Sequence, residues 1–163
     1  MVSVSPKPAL QSAPRRVTIL GSTGSVGCST LDLIERQPET FAVEALTAHR
    51  NVDRLAEQAR RVGAKLAVIA DESLYGALKS RLSGSGVRAA AGAEAVVEAA
   101  ARPSDWIMAA IVGAAGLAST LAAVRRGAVV ALANKETRVC SGPLMTGEIA
   151  RHGATLLPVD SEH

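Results

Sequence analysis

Aromatic residues are scarce in this sequence, which has one Trp, one Tyr and one Phe among 163 residues. Proteins that bind single-stranded nucleic acid stack bases on aromatic side chains, so this class of function is not expected here. Hydrophobic residues nevertheless make up 48% of the chain. The core must therefore be built from Ala, Val, Leu and Ile.

Cysteine is also scarce, and long apolar runs are missing. Cys28 and Cys140 have no CxxC or CxxH spacing, which argues against a disulfide framework and against a zinc site. No apolar run reaches the roughly 18 residues that span a bilayer, and no signal-peptide pattern is recognisable at the start. We expect a soluble, cytoplasmic protein with reduced thiols and no membrane partner.

Acidic residues are absent from the first 16 residues, where Lys7, Arg15 and Arg16 carry the charge. The net charge of the whole chain is +3, so the remainder is neutral. It therefore offers no basic surface that would predict a nucleic-acid partner. Residues 1–15 also lack hydrophobic periodicity, and we expect them to form a disordered tail.

From residue 16 onward, short aliphatic runs alternate with segments of helical period. The pattern predicts an α/β fold with a doubly wound, mostly parallel, Rossmann-like sheet of about seven strands and helices on both faces. The predicted strands are Arg16–Leu20, Phe41–Thr47, Leu66–Ala70, Val87–Ala90, Trp106–Ile111, Ala128–Ala133 and Thr155–Val159. The predicted helices are Ser25–Arg36, Val52–Val62, Glu72–Leu82, Ala93–Ala101, Ala115–Arg125 and Pro143–His152. Such sheets bind ligands beyond the carboxyl ends of their strands.

The first predicted strand runs into a glycine loop, Gly21-Ser-Thr-Gly-Ser-Val-Gly27, and then into a predicted helix. This context is typical of a phosphate-binding turn. Gly21 would make the tight turn, Gly24 would let a pyrophosphate approach the backbone, and Gly27 would let the helix pack closely. The amides at the helix start would then face the phosphates. The spacing is GxxGxxG and not GxGxxG, and a helix-entry turn without a ligand is the alternative.

The segment after the second predicted strand indicates which dinucleotide is bound. NAD sites usually have an Asp or Glu here, which accepts hydrogen bonds from the ribose 2′-hydroxyl. This chain has His49-Arg50-Asn51 and no carboxylate. Arg50 suits a 2′-phosphate, which favours NADPH over NADH. In the alternative interpretation, Arg50 is a solvated surface residue and Asn51 caps the next helix.

Two later loops are further candidates for a site. Asn134, Lys135 and Glu136 follow the sixth predicted strand, where a solvated turn is the alternative. Asp160 and Glu162 follow the seventh, and an extended chain would direct both carboxylates to one side. Paired carboxylates suit Mg²⁺ or Mn²⁺, and a polar chain end is the alternative.

Four blocks of this sequence together resemble the 1-deoxy-D-xylulose 5-phosphate reductoisomerase family. The blocks are Gly21–Asp32, Ala109–Leu117, Leu132–Glu136 and Leu157–His163, in the family's order. The resemblance implies an oxidoreductase of the non-mevalonate isoprenoid pathway. Such an enzyme uses NADPH and a divalent cation to convert 1-deoxy-D-xylulose 5-phosphate to 2-C-methyl-D-erythritol 4-phosphate. The resemblance also implies a homodimer in the full-length enzyme.

The resemblance further implies a role for each matching residue. The residues that would bind NADPH are Thr23, Gly24, Ser25, Val26, His49, Arg50, Asn51, Asn134 and Glu136. The catalytic residues, in contact with substrate, would be Lys135, Ser161 and Glu162, and the metal ligands would be Asp160 and Glu162. The family often has Gly-Lys-Asn where this chain has His49-Arg50-Asn51, so the basic character is kept.

The family is well over twice the length of this chain, and the resemblance stops at His163. We expect residues 16–158 to form the NADPH-binding domain and residues 159–163 to begin the catalytic domain, with negligible turnover by this chain alone. A stand-alone, non-catalytic NADPH-binding module is the alternative. A short-chain dehydrogenase is disfavoured, because the Tyr-x-x-x-Lys spacing of Tyr75 and Lys79 falls in a helix too early in the chain.

Overall fold

The computed structural model of the chain describes residues 13–113, 115–133 and 142–159. The strands in these ranges are β1 (Arg15–Leu20), β2 (Phe41–Ala48), β3 (Leu66–Ile69), β4 (Arg88–Ala91), β5 (Trp106–Ala109), β6 (Val129–Leu132) and β7 (Thr155–Pro158). The α-helices are α1 (Ser25–Glu35), α2 (Val52–Val62), α3 (Tyr75–Arg81), α4 (Ala93–Ala100), α5 (Ala115–Arg125) and α6 (Gly142–His152).

All seven strands belong to one sheet in the order β4-β3-β2-β1-β5-β6-β7, and every pairing is parallel. The strand order reverses at β1, because β2 to β4 extend on one side of it and β5 to β7 on the other. Doubly wound sheets bind ligands in the crevice at such a reversal. The predicted fold class is confirmed, and it places the candidate site at the carboxyl ends of β1 and β5.

The two faces of the sheet are covered by different helices. Ile19 of β1 belongs to a core layer with residues of α1, α2 and α3. The adjacent Leu20 faces the opposite side, where its layer includes residues of α5 and α6. Helix α4 packs beside α5 on that second side. Successive strand residues point to opposite faces, so aliphatic side chains at both positions bury the central strands on both sides, while the edge strands β4 and β7 stay partly exposed.

Most predicted elements end within one residue of the observed bounds, and two differ by more. The predicted helix Glu72–Leu82 begins as a 3₁₀ turn, Glu72–Leu74, and becomes α3 only at Tyr75. The Asp71 side chain accepts a hydrogen bond from the Ser73 backbone N–H and so favours the tighter turn. Strand β5 ends at Ala109, two residues before its predicted end. Its last predicted residues therefore belong to a loop at the candidate site.

Residues 1–12 lie outside the described residues, and β1 begins at Arg15, the last residue of the predicted tail. In the described ranges, no helix combines the length and apolarity that a membrane span needs. The cytoplasmic location and the homodimer stay predictions.

Candidate functional site

The glycine loop is held against the ends of two neighbouring strands. The backbone N–H of Gly21 donates to Thr47 Oγ1 at 3.0 Å, and the N–H of Ser22 donates to the Thr47 carbonyl at 2.8 Å. Gly21 has a φ of +82°, and a Cβ there would lie 2.9 Å from the Ala110 carbonyl oxygen. A side chain at this position is therefore excluded both by backbone conformation and by the loop after β5.

The other two glycines of the loop differ from each other. A Cβ on Gly27 would lie 2.3 Å from the Gly21 carbonyl oxygen, so α1 can pack against the loop only if residue 27 is glycine. A Cβ on Gly24 would meet its nearest protein atom, the Gly21 carbonyl oxygen, at 3.8 Å, which is an ordinary contact. The fold therefore explains Gly21 and Gly27, whereas it leaves open space beside Gly24.

Helix α1 starts at this open space without a side-chain cap. Gly24 is its N-cap residue, and in the described part of the chain no side-chain hydrogen bond caps this helix start. The predicted cofactor residues of the loop, Thr23, Gly24, Ser25 and Val26, all line one crevice. Unpaired amides at a helix start carry partial positive charge and bind anions. This end of the crevice can therefore hold a phosphate group.

Helix α2 supports the glycine loop from behind through a buried amide. Gln58 Oε1 accepts a hydrogen bond from the Ser22 hydroxyl at 2.9 Å, and Gln58 Nε2 donates to the Ser22 carbonyl at 3.0 Å. One turn earlier, Arg54 Nη1 donates to the Thr23 carbonyl at 3.4 Å. The sequence analysis missed both residues of α2. Their four-residue spacing, which places them on one helix face, was the signal available.

The three residues after β2 have different roles in the structure. His49 lines the crevice. Asn51 Oδ1 accepts a hydrogen bond from the Arg54 backbone N–H at 3.2 Å, so Asn51 caps α2 as its alternative interpretation stated. The Arg50 side chain is 69% exposed, and its Nε lies 3.2 Å from Asp71 Oδ2. Of these three residues only His49 is among the described residues that line the crevice, whereas Arg50 pairs with Asp71 and Asn51 caps α2.

Asp71 is a further residue that the sequence analysis missed. It follows β3, and its Oδ1 accepts hydrogen bonds from the Ser73 hydroxyl at 2.6 Å and the Ser73 backbone N–H at 3.0 Å. These bonds, with smaller contributions from the charges of Arg50 and His49, hold the pKa of Asp71 below its ordinary value. Asp71 is therefore ionised at neutral pH. An acid directly after the third predicted strand was the signal that could have identified it.

The crevice has a volume of about 600 Å³, which is within the usual range for small-ligand sites. The loops after β1, β2, β3, β5 and β6 contribute to its walls, as do the first turns of α4 and α5. Beyond the glycine loop and the end of β2, where Thr47, Ala48 and His49 line the crevice, the walls are small and apolar: Ala70, Ala93, Val96, Val97, Ala110, Ile111, Val112, Ala115, Ala118 and Ala133. The crevice is therefore an apolar slot with a phosphate-binding turn at one end.

Six predicted site residues lie outside the described residues: Asn134, Lys135, Glu136, Asp160, Ser161 and Glu162. Their roles stay predictions. Within the described ranges, no group of three or more His, Cys, Asp or Glu side chains is placed to hold a metal ion.

Three comparisons relate the chain to known proteins. The family model described as 1-deoxy-D-xylulose 5-phosphate reductoisomerase matches residues 17–142. The reductoisomerase of Rhodospirillum centenum is 64% identical over 149 residues, which cover 91% of this chain and 37% of that protein. This chain thus spans about two fifths of the length of such relatives.

Solved structures match over the same region. The reductoisomerase from Zymomonas mobilis in complex with NADPH superposes with a TM-score of 0.90 at 63% identity, over 92% of this chain and 40% of that one. A reductoisomerase in complex with magnesium gives a TM-score of 0.86 at 39% identity, over 93% of this chain and 38% of that one. Sequence and structure agree, and the chain belongs to the 1-deoxy-D-xylulose 5-phosphate reductoisomerase family.

Proposed function

We propose that the crevice binds NADPH and that the chain is the cofactor-binding part of a 1-deoxy-D-xylulose 5-phosphate reductoisomerase. The observation that carries this proposal is that the start of α1, which Gly24 leaves without a side-chain cap, and the exposed Arg50 both lie at the carboxyl edge of the sheet. Both features bind anionic groups, and NADPH has a pyrophosphate and a 2′-phosphate. The NADPH complex of the Zymomonas mobilis relative supports the same cofactor.

The pyrophosphate would bind at the glycine loop. Thr23 to Val26 line the crevice there, and the space beside Gly24 is open down to the backbone. A phosphate at this point would accept hydrogen bonds from the first-turn amides of α1 and would meet the positive end of the helix dipole. Gln58 and Arg54 would keep the loop in this conformation, because they hold the carbonyls of Ser22 and Thr23 on the side facing α2.

The 2′-phosphate would bind to the loop after β2. Arg50 offers a guanidinium, and His49 lines the adjacent wall of the crevice. Asn51 uses its Oδ1 to cap α2, which leaves its Nδ2 amide to donate to a phosphate oxygen. Capping and cofactor binding by Asn51 are therefore compatible. The apolar walls formed by residues such as Val97 and Ile111 suit the flat ring systems of a dinucleotide.

For the complete enzyme we propose the reductive isomerisation of 1-deoxy-D-xylulose 5-phosphate to 2-C-methyl-D-erythritol 4-phosphate. NADPH would supply the hydride, and a divalent cation would stabilise negative charge on substrate oxygens. Lys135, Ser161 and Glu162 would contact the substrate, Asn134 and Glu136 the cofactor, and Asp160 and Glu162 the cation. A non-catalytic binding module would leave these polar residues without a role.

Calorimetric titration of the 163-residue chain with NADPH and with NADH tests the cofactor. We expect tighter binding of NADPH. We also expect Arg50→Ala to weaken NADPH binding about tenfold or more and to leave NADH binding almost unchanged, because the lost contacts are charge-assisted hydrogen bonds to the 2′-phosphate.

Arg36→Ala is the matched control for this titration. Arg36 is 70% exposed and pairs with Asp32 at the far end of α1. It therefore resembles Arg50 in exposure and in having one carboxylate partner, but it lies away from the crevice. Its replacement should leave both affinities unchanged. Equal affinities for the two nucleotides, or an Arg50→Ala variant that binds NADPH as the wild type does, would contradict the proposal.

A further inference from the structure

The Arg50 side chain is largely exposed, yet its guanidinium is paired with the carboxylate of Asp71. Arg50 Nε lies 3.2 Å from Asp71 Oδ2, and the Asp71 side chain is only 25% exposed. An exposed arginine side chain without a partner samples many rotamers, and the binding of an anion restricts it to few of them. A carboxylate that already orients the guanidinium reduces this entropic cost.

The two oxygens of Asp71 divide their contacts. Oδ1 accepts both hydrogen bonds from Ser73, whereas Oδ2 faces Arg50. The Asp71 backbone N–H also donates to the His49 carbonyl at 3.1 Å, which ties the loop after β3 to the loop after β2. The Asp71 carboxylate is therefore held in place by Ser73, and the Asp71 backbone is bonded to the segment that carries Arg50.

The contact at Nε leaves a suitable surface for a second anion. A guanidinium has five N–H donors, and a carboxylate near Nε leaves the end formed by Nη1 and Nη2 for another group. That end can donate two parallel hydrogen bonds to a phosphate. The ion pair and a bound phosphate can thus exist together.

We infer that Asp71 is a positioning residue that orients Arg50 and thereby determines the preference for a 2′-phosphorylated dinucleotide. The inference rests on the proposed NADPH function of the crevice. Asp71 itself would not contact the phosphate, and its charge would act only through Arg50. The net effect of Asp71 on phosphate binding would be favourable, because its carboxylate lies at Nε of Arg50, away from the guanidinium end that would hold the phosphate.

Asp71→Asn tests this role, because Asn retains an acceptor for Ser73 and the backbone N–H to His49 while losing the charge that faces Arg50. We expect NADPH binding by the 163-residue chain to weaken about fivefold, as for an exposed ion pair, and NADH binding to change less than twofold. In an Arg50→Ala background the same substitution should have no further effect on NADPH binding. A merely structural role for Asp71 would lower both affinities together.

Asp53→Asn is the matched control, since Asp53 Oδ1 lies 2.7 Å from Arg81 Nε in an ion pair of the same kind between α2 and α3, which does not involve Arg50. It should leave the NADPH preference intact. If the wild-type chain prefers NADPH through Arg50 but Asp71→Asn leaves that preference unchanged or increases it, the inference alone is overturned. If the wild-type chain binds neither nucleotide, the proposed function is overturned and the inference with it.

Discussion

Near the amino end of the sheet a carboxylate is buried between two cations, whereas at the carboxyl end an arginine beside the crevice stays exposed. The Glu44 side chain is 7% exposed and lies 2.7 Å from Arg102 Nη2 and 3.1 Å from Lys65 Nζ. Arg50 at the other end is 69% exposed and has a single paired carboxylate among the described residues, Asp71. Charge is compensated inside the protein at one end and left accessible at the other.

This difference separates charges that stabilise the fold from charges that can bind a ligand. Glu44 sits at a register shift between β1 and β2, since Val17 pairs with Val43 but Thr18 pairs with Ala45. Removing a partner from such a buried cluster leaves an uncompensated charge. An exposed guanidinium has no such cost when its ligand is absent. We therefore expect substitutions near the amino end to lower stability, and substitutions at the crevice to lower cofactor affinity.

The largest expected effect is a loss of stability at the carboxyl end of the sheet. It would be an exception to the expectation that substitutions at this end lower cofactor affinity and not stability. Gly27→Ala would place a methyl group 2.3 Å from the Gly21 carbonyl oxygen and 2.5 Å from Ser22 Cα, and both are backbone atoms. We expect the free energy of unfolding, measured by urea denaturation, to fall by about 3 kcal/mol. A Gly27→Ala variant as stable as the wild type would show that α1 can shift away from the loop.

Next in size is the loss of the Glu44 carboxylate. Burial acts to raise the pKa of Glu44, but hydrogen bonds from Arg102 and Lys65 outweigh it and hold the pKa below its ordinary value. We expect Glu44→Gln to lower the free energy of unfolding at pH 7 by about 2 kcal/mol, which is less than for a fully buried pair because Lys65 is largely exposed.

The pH dependence of this effect has a defined sign. The folded-state pKa of Glu44 lies below its unfolded value, so its stabilisation is present above the unfolded pKa and is lost as pH falls through the folded one. Urea denaturation at decreasing pH should therefore show the difference between wild type and Glu44→Gln becoming smaller. Glu98→Gln, at an exposed position of α4, should differ little from wild type at any pH. A difference that grows in acid would refute the assignment.

The smallest expected effect on stability is at Gly24, where we expect a substitution at the carboxyl end to lower cofactor affinity and to leave the fold almost unchanged. Gly24→Ala meets no protein atom closer than 3.8 Å, so its stability should change by less than about 1 kcal/mol, mainly through the weaker N-cap. NADPH affinity should fall about tenfold, because the methyl group would occupy the closest approach of the pyrophosphate. Gly76→Ala adds a methyl group to open space on α3, so it should leave NADPH binding unchanged and raise stability by up to about 1 kcal/mol, because Ala favours a helix over Gly. Unchanged NADPH binding by Gly24→Ala would place the pyrophosphate elsewhere.

Much of the fold and part of the site could be predicted from the sequence. The seven strands occur where aliphatic runs predicted them, because parallel strands buried on both faces must be apolar at consecutive positions. The glycine loop was recognisable from its place between a strand and a helix. The positions of Gln58 and Asp71 carried a signal, but their roles could not be assigned, since their partners Ser22 and Arg50 are distant in sequence and meet them only across the edge of the sheet.

The sequence by itself determined the alternation of strands and helices, the aliphatic core and the place of the glycine loop, because backbone propensity and hydrophobic period are local properties. Only the tertiary structure decided which loops meet. The reversal of strand order at β1 brings the loops after β1, β2, β3 and β5 to one crevice. It also decided that Asn51 caps α2 while Arg50 turns to Asp71. A hydrogen bond or an ion pair depends on the distance between two atoms, and that distance is fixed by the packing of the whole sheet.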